Sequence, residues 1–179
     1  MSFDKKRGLP FILTFLVIIA DQVTKALIVK TIPLFSIGYE FFGDFLRIVH
    51  VANTGVAFSI GDSMPLALRR ICFGIMPLVV LCLVIVIYFR NKEFSQIQRW
   101  ALCGVIGGGF GNLIDRFFRA EGVVDFIDIK IYGLFGMERW PVFNVADSAV
   151  VVCGIILIVS FAVSTVQERE RSKDSKGLK

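Results

Sequence analysis

The sequence predicts an α-helical polytopic membrane protein with four transmembrane helices, and three observations predict it. Hydrophobic residues fill 55% of the 179 positions and charged residues only 20%, with a mean hydropathy of +0.72. A chain of this length forms one domain, whose interior cannot hold so many apolar side chains, so much of its surface must face lipid. The apolar residues also fall into runs of about 20, the length that crosses a bilayer core, and Lys and Arg are spread unequally between the runs. This composition excludes a disordered chain, a collagen-like chain and a disulfide scaffold. A net charge of +5 would point to nucleic acid in a soluble protein. Here the position of each charge matters more than the sum, and no nucleic-acid partner is expected.

The first run covers residues 9–29, behind Lys5, Lys6 and Arg7. Those cations resemble the start of a signal peptide, but Asp21-Gln22 stands where a small-residue cleavage site would lie, so the run reads as an uncleaved helix. The second covers about 66–89, the third 100–118 and the fourth about 142–163. With four spans both termini share a side. That side (residues 1–8, 90–99 and the tail from 164) is denser in Lys and Arg than the other (30–70 and 116–141), so both termini are expected in the cytoplasm. Arg69 and Arg70 run against the rule. Residues 1–164 read as a single membrane-embedded domain and 165–179, rich in Lys, Ser and Glu, as a disordered cytoplasmic tail. Cys72, Cys82, Cys103 and Cys153 all fall in predicted spans without a C-x-x-C pair, and read as small core residues rather than disulfides or metal ligands.

The connections facing outward are not simple linkers. Residues 45–52 (FLRIVHVA) are rich in branched and aromatic side chains, Asn53-Thr54-Gly55 makes a turn and 56–60 follow, which predicts strand, turn and strand. The result is a small sheet on the membrane surface, with Tyr39, Phe41, Phe42 and Phe45 at the interface. Residues 119–141 are mixed and glycine-punctuated, and fit either a half-helix or a flap.

Ionisable groups in or beside lipid are costly, and so mark candidate sites. Asp21 and Lys25, four apart, share a helix face and read first as an ion pair. The third run carries Gly104, Gly107, Gly108, Gly109 and Gly111, which permit close helix packing; no Lys-Ser or Lys-Thr follows, so it is no phosphate loop. Asn112 and Arg116 share a face and suit either a buried carboxylate or a structural loop. Asn144 suits an N-cap and Asp147 the first turn of a helix. Asp125 stands between Val124 and Phe126, an unusual setting for a surface carboxylate. Asp125 and Asp147 belong at about one membrane depth. Two carboxyls brought close cannot both ionise, so one can deprotonate water while the other polarises a carbonyl: aspartyl peptide hydrolysis, without metal or cofactor. Asp128 fits that scheme in place of Asp125. His50 is the only histidine and no H-E-x-x-H occurs. A Ser-Lys pair would need Ser59 or Ser148 beside Lys25. The same residues also admit a non-enzymatic carrier with a polar path through Asp21, Lys25, Asp115 and Arg116.

From residue 9 to about 164 the chain resembles the bacterial lipoprotein signal peptidases (signal peptidase II). The resemblance is carried, in family order, by Asp21-Gln22-Val23-Thr24-Lys25, Asn53-Thr54-Gly55-Val56-Ala57-Phe58-Ser59, Gly111-Asn112-Leu113-Ile114-Asp115-Arg116, Val123-Val124-Asp125-Phe126-Ile127 and Phe143-Asn144-Val145-Ala146-Asp147-Ser148. It implies four transmembrane helices, a small extracytoplasmic β-cradle and a short extracytoplasmic helix or flap in the second outer loop. It implies a bacterial inner-membrane aspartyl endopeptidase, monomeric, that cuts diacylglyceryl-modified prolipoproteins just before the lipidated cysteine, near the outer leaflet. The implied catalytic pair is Asp125 and Asp147, with Asp128 outside the family's essential position. Asp21, Lys25, Asn53, Gly55, Asn112, Arg116, Asn144 and Ala146 are implied to line or support the site.

Overall fold

The computed structural model describes residues 5–55, 65, 68 and 71–177. The predicted strand at 56–60, the start of the second run and the Arg69-Arg70 pair lie outside the described residues. Four long helices form a bundle: α1 (Phe11–Thr31), α2 (Met76–Arg90, entered through a π-helical turn Ile71–Ile75), α3 (Gln96–Phe118) and α4 (Val145–Gly177). One end of the bundle carries an antiparallel sheet of β1 (Ser36–Phe41), β2 (Leu46–Asn53) and β3 (Val123–Ile129), in that order. The helical stretches Lys6–Thr31, Ile71–Arg90 and Val145–Glu168 are long and apolar enough to cross a membrane.

Helix α3 is the axis of the bundle and packs most extensively on α4, then α1, then α2. That position explains its weaker hydropathy. Its side chains meet other helices rather than lipid, so it needs small and polar residues where its neighbours need large apolar ones. Phe15, Leu16 and Ile19 of α1 and Val151, Ile155 and Ile158 of α4 are correspondingly exposed. Helix α3 begins at Gln96 rather than 100 because Ser95 caps it: the Ser95 side chain accepts from the Gln98 N–H while the Gln98 side chain accepts from the Ser95 N–H.

The glycines of α3 set the helix spacing. A Cβ on Gly107 would stand 2.9 Å from the Thr14 carbonyl of α1, and one on Gly108 would overlap the Ala146 carbonyl of α4. Gly108→Ala is therefore expected to cost roughly 1–3 kcal/mol by overpacking and to push the first turn of α4 away. Gly154→Ala, which meets nothing within 4 Å, is the matched control. Thermal unfolding of the two variants in detergent checks this; equal melting temperatures would disprove it.

The sheet is tied to the bundle by a small apolar core, in which Ile28 and Ile32 meet Val124 and Phe126, with Ile48, Ile127 and Val145 around them. His50 has this structural role too: its Nδ1 lies 2.8 Å from the Ile32 carbonyl oxygen at the end of α1.

Three features differ from the sequence expectation. Residues 36–41 form β1, an edge strand exposed on both faces, so no apolar alternation marks it. The second outer loop is neither a half-helix nor a loose flap at its start, because residues 123–129 complete the sheet. The expected short helix is reduced to one 3-10 turn, Leu134–Gly136, bounded by Gly133 and Gly136 at positive φ. Finally, α4 continues to Gly177 where a disordered tail from 165 is expected. Extending an existing helix avoids the cost of nucleation.

Candidate active site

Where α1, α3, α4 and β3 converge, the site is built outward from a buried cation. Asp21 and Lys25 lie on one face of α1, and both side chains have 0% exposure. The Lys25 ammonium has three N–H donors and three acceptors: Asp21 Oδ2 at 2.9 Å, Asp115 Oδ2 at 2.8 Å and Asn112 Oδ1 at 2.9 Å. Asp21 uses its second oxygen to accept the Ala146 N–H at 3.0 Å, fixing the first turn of α4 against α1. Asp115 also accepts from Arg119 Nε at 2.8 Å and from the Val124 N–H at 3.2 Å, fixing the start of β3. Two carboxylates and two cations thus form one closed, neutral cluster. Three of the four residues of the carrier path are partners in it, and the fourth, Arg116, turns instead to the Gly55 carbonyl.

The turn opening α4 does two jobs. Asn144 Oδ1 accepts the Asp147 N–H at 2.9 Å and Asp147 Oδ2 accepts the Asn144 N–H at 3.1 Å, a reciprocal cap. The capping reading of Asn144 is therefore correct, and the same side chain also serves the site. Its Nδ2 donates to Asp125 Oδ1 at 2.7 Å and to Asn112 Oδ1 at 3.0 Å. Asn112 Nδ2 in turn donates to Asp147 Oδ1 at 2.7 Å.

Strand β3 delivers Asp125, only 3% exposed, between buried Val124 and Phe126. On the neighbouring strand Asn53 donates from Nδ2 to Asp125 Oδ2 at 2.9 Å, and its own Oδ1 accepts the Gly55 N–H at 3.1 Å. Arg116 donates to the Gly55 carbonyl at 3.2 Å and lies over the Phe73 ring at 5.6 Å. Burial pushes the Asp125 carboxyl up to about 7, and the charge of Asp147 adds to that rise, against the pull of the Asn53 and Asn144 hydrogen bonds and of Lys25. A cleft of about 630 Å³ opens on the Asn53 and Arg116 side of the site, lined also by Phe73 and Phe117.

The structure therefore brings together Asp21, Lys25, Asn53, Gly55, Asn112, Arg116, Asp125, Asn144, Ala146 and Asp147. It separates Asp128, three residues beyond Asp125 and so on the other face of the strand. Asp128 takes Arg139 Nε in both oxygens, at 2.7 and 2.8 Å. Ser148 donates to the Asn144 carbonyl, an intrahelical bond, and Ser59 lies outside the described residues. Among the described residues no cluster of three His, Cys, Asp or Glu side chains is arranged to hold a metal. Asp115, Gln22 and Arg119 emerge as site supports only from the structure, with Gln22 donating to both Asp21 and Asp115. The sequence signal for Asp115 is its three-residue spacing from Asn112 and four-residue spacing from Arg119.

Comparison with known proteins agrees with this constellation. The family model described as signal peptidase (SPase) II matches residues 13–163. The lipoprotein signal peptidase of Treponema pallidum is 48% identical over 169 residues, covering 94% of this chain and 89% of its own length. That of Treponema denticola is 46% identical over 175 residues, covering 98% and 100%. A solved bacterial membrane enzyme, determined by the in meso method at 2.3 Å resolution, superposes with a TM-score of 0.74 at 30% identity, covering 88% of this chain and 90% of that one. On residues that carry both the bundle and the site, the chain belongs to the signal peptidase II family.

Proposed function

We propose that the chain is an aspartyl endopeptidase of the bacterial inner membrane, that Asp125 and Asp147 are its catalytic pair, and that it removes signal peptides from diacylglyceryl-modified prolipoproteins just before the lipidated cysteine. The observation that carries the reading is the convergence of these two carboxyls on shared asparagine amides, with one of them held near neutral pH by burial. On this path Asp125 acts as the acid and Asp147 as the base. Asp147 takes a proton from water as the water oxygen attacks the scissile carbonyl carbon, and Asp125 gives its proton to the carbonyl oxygen. When the tetrahedral diol collapses, Asp147 passes its proton to the departing nitrogen, the C–N bond breaks and Asp125 recovers a proton from the diol hydroxyl. The remaining residues hold these two groups in place.

Both termini belong in the cytoplasm, by the density of Lys and Arg, and the sheet end then lies at the outer leaflet. A diacylglyceryl anchor presents its cysteine at that depth. Two measurements test the reading. Purified protein in detergent is expected to cut a prolipoprotein carrying the diacylglyceryl group, with the new N-terminus at the lipidated cysteine, and to leave the unlipidated form intact. Equal cutting of both forms would remove the lipid requirement, and no cutting by folded protein would remove the peptidase reading. The second is the pH profile. Asp125 must hold its proton, so kcat/KM is expected to fall on the alkaline side with an apparent value near 7, a property of the coupled pair. A profile flat to about pH 9 would contradict it.

A further inference from the structure

The hydrogen bonds around the aspartates follow one rule of polarity. Each of the carboxyl oxygens accepts one N–H: Asp125 Oδ1 from Asn144, Asp125 Oδ2 from Asn53, Asp147 Oδ1 from Asn112 and Asp147 Oδ2 from the Asn144 main chain. An asparagine amide has two ends of similar shape and opposite chemistry, so each amide needs something to set its sense. For Asn53 that is the Gly55 N–H on its oxygen, and for Asn144 it is the Asp147 N–H. Both are main-chain donors that cannot act as acceptors. The Asn112 oxygen is met instead by side chains, Lys25 at 2.9 Å and Asn144 Nδ2 at 3.0 Å. An ammonium is donor-only, and this one is held in place by Asp21 and Asp115.

We propose that Lys25 is a positioning residue for the catalytic pair: its ammonium fixes the Asn112 amide oxygen-inward, so that the Asn112 NH2 group faces Asp147. In the opposite sense Asn112 would set its oxygen against Asp147 Oδ1 and its NH2 against the ammonium, two repulsive contacts in place of two bonds. Asp21 and Asp115 thereby contribute to the chemistry at one further remove, by placing the ammonium. The charged groups around the pair are Arg116 and Asp115 on α3, with Arg119 just beyond its end, Asp21 and Lys25 on α1, and Asp125 and Asp147 themselves. Lys25 is distinguished among them by its direct contact with the oxygen of the Asn112 amide.

This inference rests on the peptidase reading, and the test separates the two. Wild-type cleavage of the lipidated substrate is measured first; its absence in folded protein defeats the peptidase reading. Given cleavage, kcat and KM are measured across pH for Lys25→Met, Lys25→Gln, Asn112→Leu and Asp115→Asn. Lys25→Met removes the donor, and its kcat is expected to fall roughly 10–100-fold, as for lost supporting hydrogen bonds elsewhere, with KM little changed. The acid limb of its profile moves to higher pH, because the ionised pair has lost an N–H. Lys25→Gln keeps an N–H for the Asn112 oxygen without the charge, and is expected to move the limb back toward its wild-type position. Asn112→Leu deletes the amide and is expected to reproduce the limb shift of Lys25→Met, so the inference stays testable if Lys25→Met does not fold. Asp115→Asn weakens the cluster while keeping the Lys25–Asn112 contact, and its limb is expected to stay where it is. A Lys25→Gln profile identical to that of Lys25→Met would assign the effect to charge alone and overturn the proposal. So would an Asn112→Leu profile with the wild-type limb.

Discussion

Asp125→Asn and Asp147→Asn are each expected to lower turnover by at least about 10³-fold, while the helices stay formed and substrate still binds. Each carboxyl has a separate task on the proposed path, so neither can stand in for the other. The protein should survive the change because two effects oppose. Asp125 is held near 7 in the folded chain against its ordinary 3.8, so ionising it there costs up to roughly 4 kcal/mol by linkage. The neutral amide of Asp125→Asn escapes that cost, but it turns one NH2 toward the N–H of Asn53 or Asn144, which costs about 1–3 kcal/mol. The sign of the pH dependence follows. Below about pH 4 the Asp125 carboxyl is protonated in folded and unfolded chains alike, and the wild type bears no penalty. As pH rises toward 7 the unfolded chain ionises first and the wild type loses stability. The melting temperature of Asp125→Asn minus that of wild type should therefore grow from about pH 4 to about 7 and level off above. Circular dichroism and thermal scans beside the cleavage assay check this. A variant that is inactive only because it has unfolded would leave the catalytic assignment without support.

Asp125 stood out in the sequence because a carboxylate between Val124 and Phe126 has few bland explanations, whereas Asp147, in the first turn of an apolar helix, is explained equally well by the helix dipole. The glycines of α3 were legible as a packing surface. Which partners they meet was not, since Gly107 turns to α1 and Gly108 to α4, and that depends on the bundle's closure. The start of α3 was legible in principle through Ser95 and Gln98, but hydropathy alone begins the span later. Strand β1 left no mark because an edge strand with both faces exposed needs no alternation. Least visible were the amide senses. Asn112 and Asn144 are 32 positions apart, and only the fold makes one the acceptor of the other. A sequence can state that an asparagine is present, but which of its ends faces a carboxylate is a property of the donors packed around it. Asp128 illustrates the converse: three residues beyond Asp125 and equally acidic, it is removed from the site by strand alternation alone.

Lys25→Met is expected to destabilise the fold more than any of the other single substitutions, by roughly 3–5 kcal/mol. Its ammonium is the cation shared by Asp21 and Asp115, and all three side chains have 0% exposure. Surface ion pairs contribute little because water replaces a lost partner. At Lys25 water has no such access, and removal of the cation strands two carboxylates against each other, with only Arg119 left to compensate. The destabilisation therefore belongs mainly to the stranded charges and not to any strength of the original pairing. That distinction predicts the outcome of a double-mutant cycle. Lys25→Met combined with Asp21→Asn removes one of the two stranded charges, and should be more stable than Lys25→Met alone even though it deletes a further residue of the cluster. Recovery cannot be complete, because Asp115 keeps its charge, although the Asn oxygen can still accept the Ala146 N–H that docks α4. Thermal or denaturant unfolding of the two singles and the double in detergent gives the coupling. Additive losses would mean that the cluster is wetter than the 0% exposure of its side chains implies and that Lys25 acts as an ordinary surface cation.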